Sequence, residues 1–428
     1  MSTLSPTAAP ALPADRPVET TRSWKLPIAF GVFTLLALVL FGFARRPGTA
    51  TFRLSTSGDF FALPNVPLPA AATGVVVIVL LALATVYAVV ETRGSRRVPL
   101  WVTAVFALVF VVGFLSWAVA GDSITIPGML VGALSLSVPL VFGALGGVIS
   151  ERVGVVNIAI EGQFLAGAFT SAMIASLTGS AWVGLVGALV AGVLVSFVLA
   201  AFSIKYLVDQ VIVGVVINAF ISGLTGFLYS QVLSPNQATL NVGVRFPKFD
   251  VPLLHQIPII GPIFFEQTVV VYLAYVAVAV VTFGLFKTRW GLRLRAVGEH
   301  PQAADTVGIN VARTRFWNVS LAGAVAGLGG AYFTLDAAGG FTKDMTAGAG
   351  YIALAAVIFG RWDPIRATLA ALLFGFASNL QNTLAAVGSP VPSEFLLMLP
   401  YVVTIFAVAG LVGQSRGPAA AGKPYIKS

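Results

Sequence analysis

Few side chains in this 428-residue chain could do chemistry, and the ones that stand out lie inside apolar runs. Glu161 falls less than halfway along the run 154–177, and Asn157, Phe164 and Ala168 share its face if that run is helical throughout. A carboxyl group in hydrocarbon is costly and by default marks a functional or tightly paired site. The alternative is a glutamate hydrogen-bonded to a neighbouring helix for packing alone. Asn218 and Gln381 place amides in other apolar runs, and Gly348 and Gly350 would let backbone approach a ligand or a helix closely. An asparagine in a span can also serve only to bridge helices. A carboxylate, amides and an aromatic ring suit the holding of a polar solute by hydrogen bonds and ring contact. Two catalytic motifs are missing: the chain has no phosphate-binding G-x-x-x-x-G-K-[ST] and no H-E-x-x-H. Without cysteine, and with only His255 and His300 far apart, a metal site lacks its usual three or four ligands. No cofactor is expected.

The elements that position these residues must be membrane helices. Hydrophobic residues make up 57% of the chain and charged ones 10%, and the mean hydropathy is +0.94. A soluble core does not absorb that much apolar surface. A crossing helix needs about 20 apolar residues, and such runs recur at 27–43, 72–90, 99–120, 127–149, 154–177, 181–204, 209–230, 268–286, 316–335, 350–360, 367–387 and 395–413. The fold class is therefore all-α, a polytopic transmembrane bundle of about 12 spans, and stretches such as 182–204 lack the alternation of a barrel. The tenth run is too short to cross, so the Gly-rich stretch 339–350 before it is expected to be non-helical or re-entrant. Residues 1–25 and 416–428 read as tails.

With the N-terminus inside, 19 of the 25 Lys and Arg fall on the cytoplasmic side, and Arg45 and Arg46 are the main exceptions. Both termini are thus expected in the cytoplasm, and the net charge of +9 speaks for topology and lipid contact rather than for nucleic acid. Lys205 and Asp209, four apart, read as an exposed ion pair. Residues 231–267 form an outer excursion and 287–315 an inner one. In the inner one Pro301 suits a first helical position and Gly308 a stop, giving a short helix over 301–307 with Ala303, Ala304 and Val307 as its exposed apolar side.

The inner segment Arg295–Ile309, read as R-A-V-G-E-x-P-x-A-A-x-x-x-G-I, resembles the cytoplasmic coupling loop of ABC importer permeases for ribose-type sugars, branched-chain amino acids and nucleosides. Glu151–Phe169 (ERVGVVNIAIEGQFLAGAF), Asp209–Leu228 and Met345–Gln381 extend the resemblance over about residues 125–413, closest to the nucleoside permeases. Asn379 departs from the acidic residue expected of many relatives. The resemblance implies a type II ABC importer-like permease core over 125–415, with 26–124 as extra spans. It also implies a separate ATPase subunit, a second homologous permease, an extracytoplasmic substrate-binding lipoprotein and a nucleoside substrate. Asn157, Glu161, Phe164, Asn218, Gln381, Gly348 and Gly350 become its substrate-contacting candidates, and Gly298, Glu299, Pro301, Ala303, Ala304 and Gly308 its coupling candidates. A ribose-type sugar permease and a secondary transporter are the competing readings. The latter should show internal repeats, which are not evident here.

Overall fold

The computed structural model describes residues 23–96, 98–392, 394, 395, 398 and 417–427, and the chain divides into two units. The smaller comprises Met1–Gly48 and Pro69–Ala120. It contains three helices, α1 (Lys25–Phe43), α2 (Ala70–Arg93) and α3 (Leu100–Ala118), the last two opening directly after Pro69 and Pro99 in extended conformation. Aromatic rings hold α1 to α3: Phe30 stacks on Phe106 at 4.0 Å and Phe33 meets Phe110 edge-on at 5.2 Å. Arg46, an exception to the charge bias, donates to the carbonyls of Trp117 and Ala118 at 3.2 and 2.8 Å. A cation at a helix C-terminus satisfies orphan carbonyls and the negative end of the dipole.

The larger unit comprises Thr49–Leu68 and Gly121–Ser428. A small sheet in the order β2-β1-β3 joins β1 (Thr49–Arg53) to β2 (Val66–Pro69) and, in parallel, to β3 (Ser123–Thr125). There follow α4 (Ile126–Arg152), α5 (Ile160–Thr178), α6 (Ala181–Lys205) and α7 (Gln210–Leu233). The expected outer excursion contains α8 (Gln237–Leu240), β4 (Lys248–Asp250), α9 (Ile260–Phe264) and β5 (Glu266–Thr268), with β4 and β5 antiparallel. Then come α10 (Val269–Lys287), α11 (Arg289–Glu299), α12 (Pro301–Thr306), α13 (Val311–Ala338), α14 (Ala349–Phe359) and α15 (Pro364–Ala386).

The centre of the unit is α13, which lies against α4, α5 and α6. Lipid gives helices little hydrophobic reason to associate, so close van der Waals approach must supply the attraction. Gly323 and Gly327 provide it on α13: a Cβ on either would strike the α6 backbone, at Gly192 or Ala188. One methyl group would force the two helices apart.

Among the described residues, eight helices are long and apolar enough to cross a membrane. At 19 and 23 residues α5 and α15 have the length but are more polar, and α14 has only 11 residues. Eleven residues rise about 16 Å, half of a bilayer's hydrocarbon thickness. The stretch before α14 is non-helical, as expected, and ends at Gly348 with φ +82°. The run expected over 395–413 lies outside the described residues. Asp209 is corrected: its carboxylate caps α7 by accepting from the backbone N–H of Val211 and Ile212, and does not pair with Lys205.

Candidate functional site

The fifth apolar run does not become helical at 154. Gly154 has φ +92°, which an α-helix does not allow, and the backbone remains irregular to Ala159. Asn157 therefore precedes α5 rather than sharing a helical face with Glu161, a correction to the spacing argument. The whole stretch folds inward. The Asn157 side chain is buried and exchanges hydrogen bonds with Gln163 (3.1 and 3.3 Å), which donates in turn to Ser196 of α6 at 2.9 Å. Phe164 is also buried, its ring lying where Cβ atoms on Gly143 of α4 and Gly329 of α13 would sit.

Glu161, only 8% exposed, stands in the first turn of α5 where the two irregular stretches meet. Its Oε1 accepts from Thr346 Oγ1 at 2.6 Å and from the Gly348 N–H at 2.9 Å; its Oε2 accepts from the Gly350 N–H at 2.6 Å. Gly348 occupies the N-cap position of α14 and has no side chain with which to cap it. The carboxyl group of another helix does that work, and the positive ends of α5 and α14 both converge on it. Gly350 is required by closeness: a Cβ there would overlap the Glu161 backbone nitrogen.

Asn218, near the middle of α7, completes the cluster. Its Oδ1 accepts from the Gly162 N–H at 2.8 Å, which satisfies an orphan donor at the start of α5. Its Nδ2 donates to the Ile158 carbonyl at 2.8 Å and to the Tyr351 hydroxyl at 3.2 Å. Asn218 thus bridges α7 to α5 and α14, and its α14 partner Tyr351 is 49% exposed. Gln381 is half-buried on α15 and makes no hydrogen bond to this cluster; two residues earlier, Asn379 donates to the Met129 carbonyl of α4 at 2.7 Å. Sequence reasoning missed Gln163, Thr346 and Tyr351. A glutamine two residues after Glu161 and a threonine opening the T-A-G-A-G stretch were the available signals.

The α11–α12 end of the bundle is built around the second group of candidates. Pro301 opens α12 as its first residue, and Gly308 follows it with φ +85°. The face assignment is corrected at one residue. Ala304 is buried together with Pro301, while Ala303 and Val307 are exposed, Val307 at 75%. A six-residue helix seated on the bundle must bury one residue per turn, and Pro301 and Ala304 are three apart. Gly298 is buried as well, its missing Cβ replaced by the carbonyl of Arg152 at the end of α4.

Residues 417–427 lie against this loop. The Ala420 N–H donates to the Gly298 carbonyl at 2.9 Å, the Ala419 N–H to a Glu299 oxygen at 3.2 Å, and Lys427 approaches Asp305 at 3.9 Å. Arg315, 2% exposed, donates through Nη1 to the Lys423 carbonyl at 3.0 Å. Beside Gly417 lies Trp362, which, in a tight turn of two positive-φ residues before α15, donates to Glu151 and accepts from Arg152 Nε at 2.8 Å.

A many-helix bundle with a polar cluster between two broken segments, and a helical loop seated on one end, is the build of a multi-pass membrane transport subunit. The chain belongs to the permease component family of the branched-chain amino acid transport system, whose pattern matches residues 129–408. It is 42% identical over 314 residues to the guanosine ABC transporter permease NupQ of Bacillus subtilis, covering 71% of this chain and 97% of that protein. It is 42% identical over 309 residues to the nucleoside ABC transporter permease NupC of Lactococcus lactis, covering 69% and 95%. A putative glucose ABC transporter permease of Haloferax volcanii, TsgC13, is 35% identical over 258 residues, 59% of this chain and 77% of that one. No solved structure matches. The family is one of transport subunits rather than enzymes, and Glu161, Asn218, Thr346 and the α12 loop all fall within the matched region.

Proposed function

We propose that this chain is the membrane permease subunit of an ATP-driven nucleoside importer. The observation that carries this reading is its correspondence to guanosine and nucleoside permeases over almost their whole length. The sugar relative is less similar and covers less of this chain. ATP is hydrolysed by a separate ATPase subunit that receives the exposed side of α12 at Ala303 and Val307. A second, homologous permease and an extracytoplasmic binding lipoprotein complete the complex, and both termini are cytoplasmic. The three N-terminal helices are an addition to the core.

Within the core, the exposed side of Tyr351 and the free face of α7 (Ile212, Val215, Val216, Phe220) bound the substrate's route against the second permease. An aromatic and apolar wall with a few amides behind it suits a solute that has a flat ring and hydroxyl groups. Glu161 and Asn218 hold that wall in shape and, if the strap 345–350 opens during transport, become free to bond the substrate. The reconstituted complex should take up guanosine only with ATP, with competition by other nucleosides and little by ribose. Full uptake by this chain alone as a monomer would sink the proposal.

A further inference from the structure

The route and the coupling loop leave one charged cleft unexplained. It is an open cleft of about 310 Å³ between α11 and the start of α13, lined by Trp290, Arg293, Arg313, Thr314, Trp317 and Asn318. Two of its neutral side chains are already paired: Trp290 Nε1 donates to Asn318 Oδ1 at 2.9 Å, and Asn318 Nδ2 to the Thr314 carbonyl at 2.7 Å. That leaves a rigid floor and two guanidinium groups, both exposed, neither of which forms an ion pair among the described residues. Among the described residues that line the cleft, none is acidic. Trp317 is 57% exposed at its edge, and one turn further along α13 Leu321 is 43% exposed, which continues an apolar track away from the charges.

We propose that this cleft binds the phosphate of an anionic phospholipid of the inner leaflet, with an acyl chain along Trp317 and Leu321. Guanidinium groups match phosphate oxygens in pairs, and an indole favours the boundary between headgroup and hydrocarbon. An arginine placed only to fix topology needs neither a second arginine lining the same cleft nor an adjoining apolar track. Basic pockets between membrane helices on the cytoplasmic side are a recognised form of lipid headgroup site. The inference rests on the orientation given under Proposed function.

The test uses the purified full-length transporter in native mass spectrometry, titrated with phosphatidylglycerol or phosphatidylcholine. Phosphatidylglycerol should be retained preferentially, and Arg293→Gln with Arg313→Gln should weaken it roughly 30-fold, from two basic contacts near the surface. Retention of phosphatidylcholine, whose own choline cation offsets its phosphate charge, should fall much less, and Lys205→Gln, away from the cleft, should have no effect. Trp317→Ala should weaken both lipids. Equal phosphatidylglycerol retention by wild type and the double variant would overturn the proposal. So would displacement by millimolar inorganic phosphate without lipid preference, which would make the ligand a free anion. Because the chain has no cysteine, a single Gln302→Cys labelled only from the cytoplasmic side checks orientation separately. Labelling from outside would refute the orientation whatever the lipid result.

Discussion

Replacing Glu161 by glutamine keeps the side chain's size and removes one of its two acceptors, so it isolates the capping of α14. Oε1 serves Thr346 and Gly348, and Oε2 serves Gly350. Whichever way the new amide turns, its NH2 faces at least one buried donor. A hydrogen bond to a charged group contributes about 1.5–3 kcal/mol, and a buried donor left without an acceptor costs about 1–3 kcal/mol, so roughly 2–4 kcal/mol should be lost. Glu161→Ala strands all three donors and should cost about 4–6 kcal/mol, comparable with the whole stability of many domains. Thr346→Val removes a single neutral donor and should cost about 1 kcal/mol. Because the residues share a network, Glu161→Gln and Thr346→Val together should cost less than their sum. Thermal unfolding followed by size-exclusion chromatography should rank the variants in that order, with nucleoside uptake measured per assembled complex. If Glu161→Gln unfolds like the wild type while the KM for nucleoside rises, the carboxyl group is held by substrate rather than by the strap, and the reasoning fails.

Two further outcomes separate the inner loop's fold from its coupling. Gly298→Ala should lower abundance, because its Cβ overlaps the Arg152 carbonyl, whereas Val307→Asp, on the exposed face, should preserve abundance and abolish co-purification of the ATPase. Equal behaviour of the two in a pull-down normalised to expression would refute the assignment of faces. Deleting residues 417–428 removes the Lys423 carbonyl from the buried Arg315 guanidinium, which should destabilise the protein by about 1.5–3 kcal/mol. An unchanged melting temperature would show that the tail bears no load.

Much was legible from local pattern. A span announces itself through some 20 consecutive apolar residues, and the eight helices long and apolar enough to cross a membrane all lie over predicted runs. The strap before α14 was legible too, since Gly348 and a run too short to cross both argue against an ordinary span. What misled was periodicity carried past its limit: Asn157 has helical spacing from Glu161, but Gly154 adopts a left-handed backbone and delays the helix to Ile160. Burial on α12 was read with Ala304 outward, because the sequence does not say which side of a six-residue helix the bundle covers.

Glu161 marks the same division. Its type and its apolar surroundings, both present in the sequence, make it costly and hence significant. Which groups offset that cost is a matter of chain segments that only folding brings together. Its three donors lie 185 to 189 residues away, and Asn218, 56 residues from its Gly162 partner, seals the other helix end. Hydrophobic runs are read by the bilayer one segment at a time, so the long apolar helices are legible from local sequence. Hydrogen bonds between broken segments depend on distances of a few ångströms across the bundle, and those are set only when α13 and its glycines have drawn the helices together.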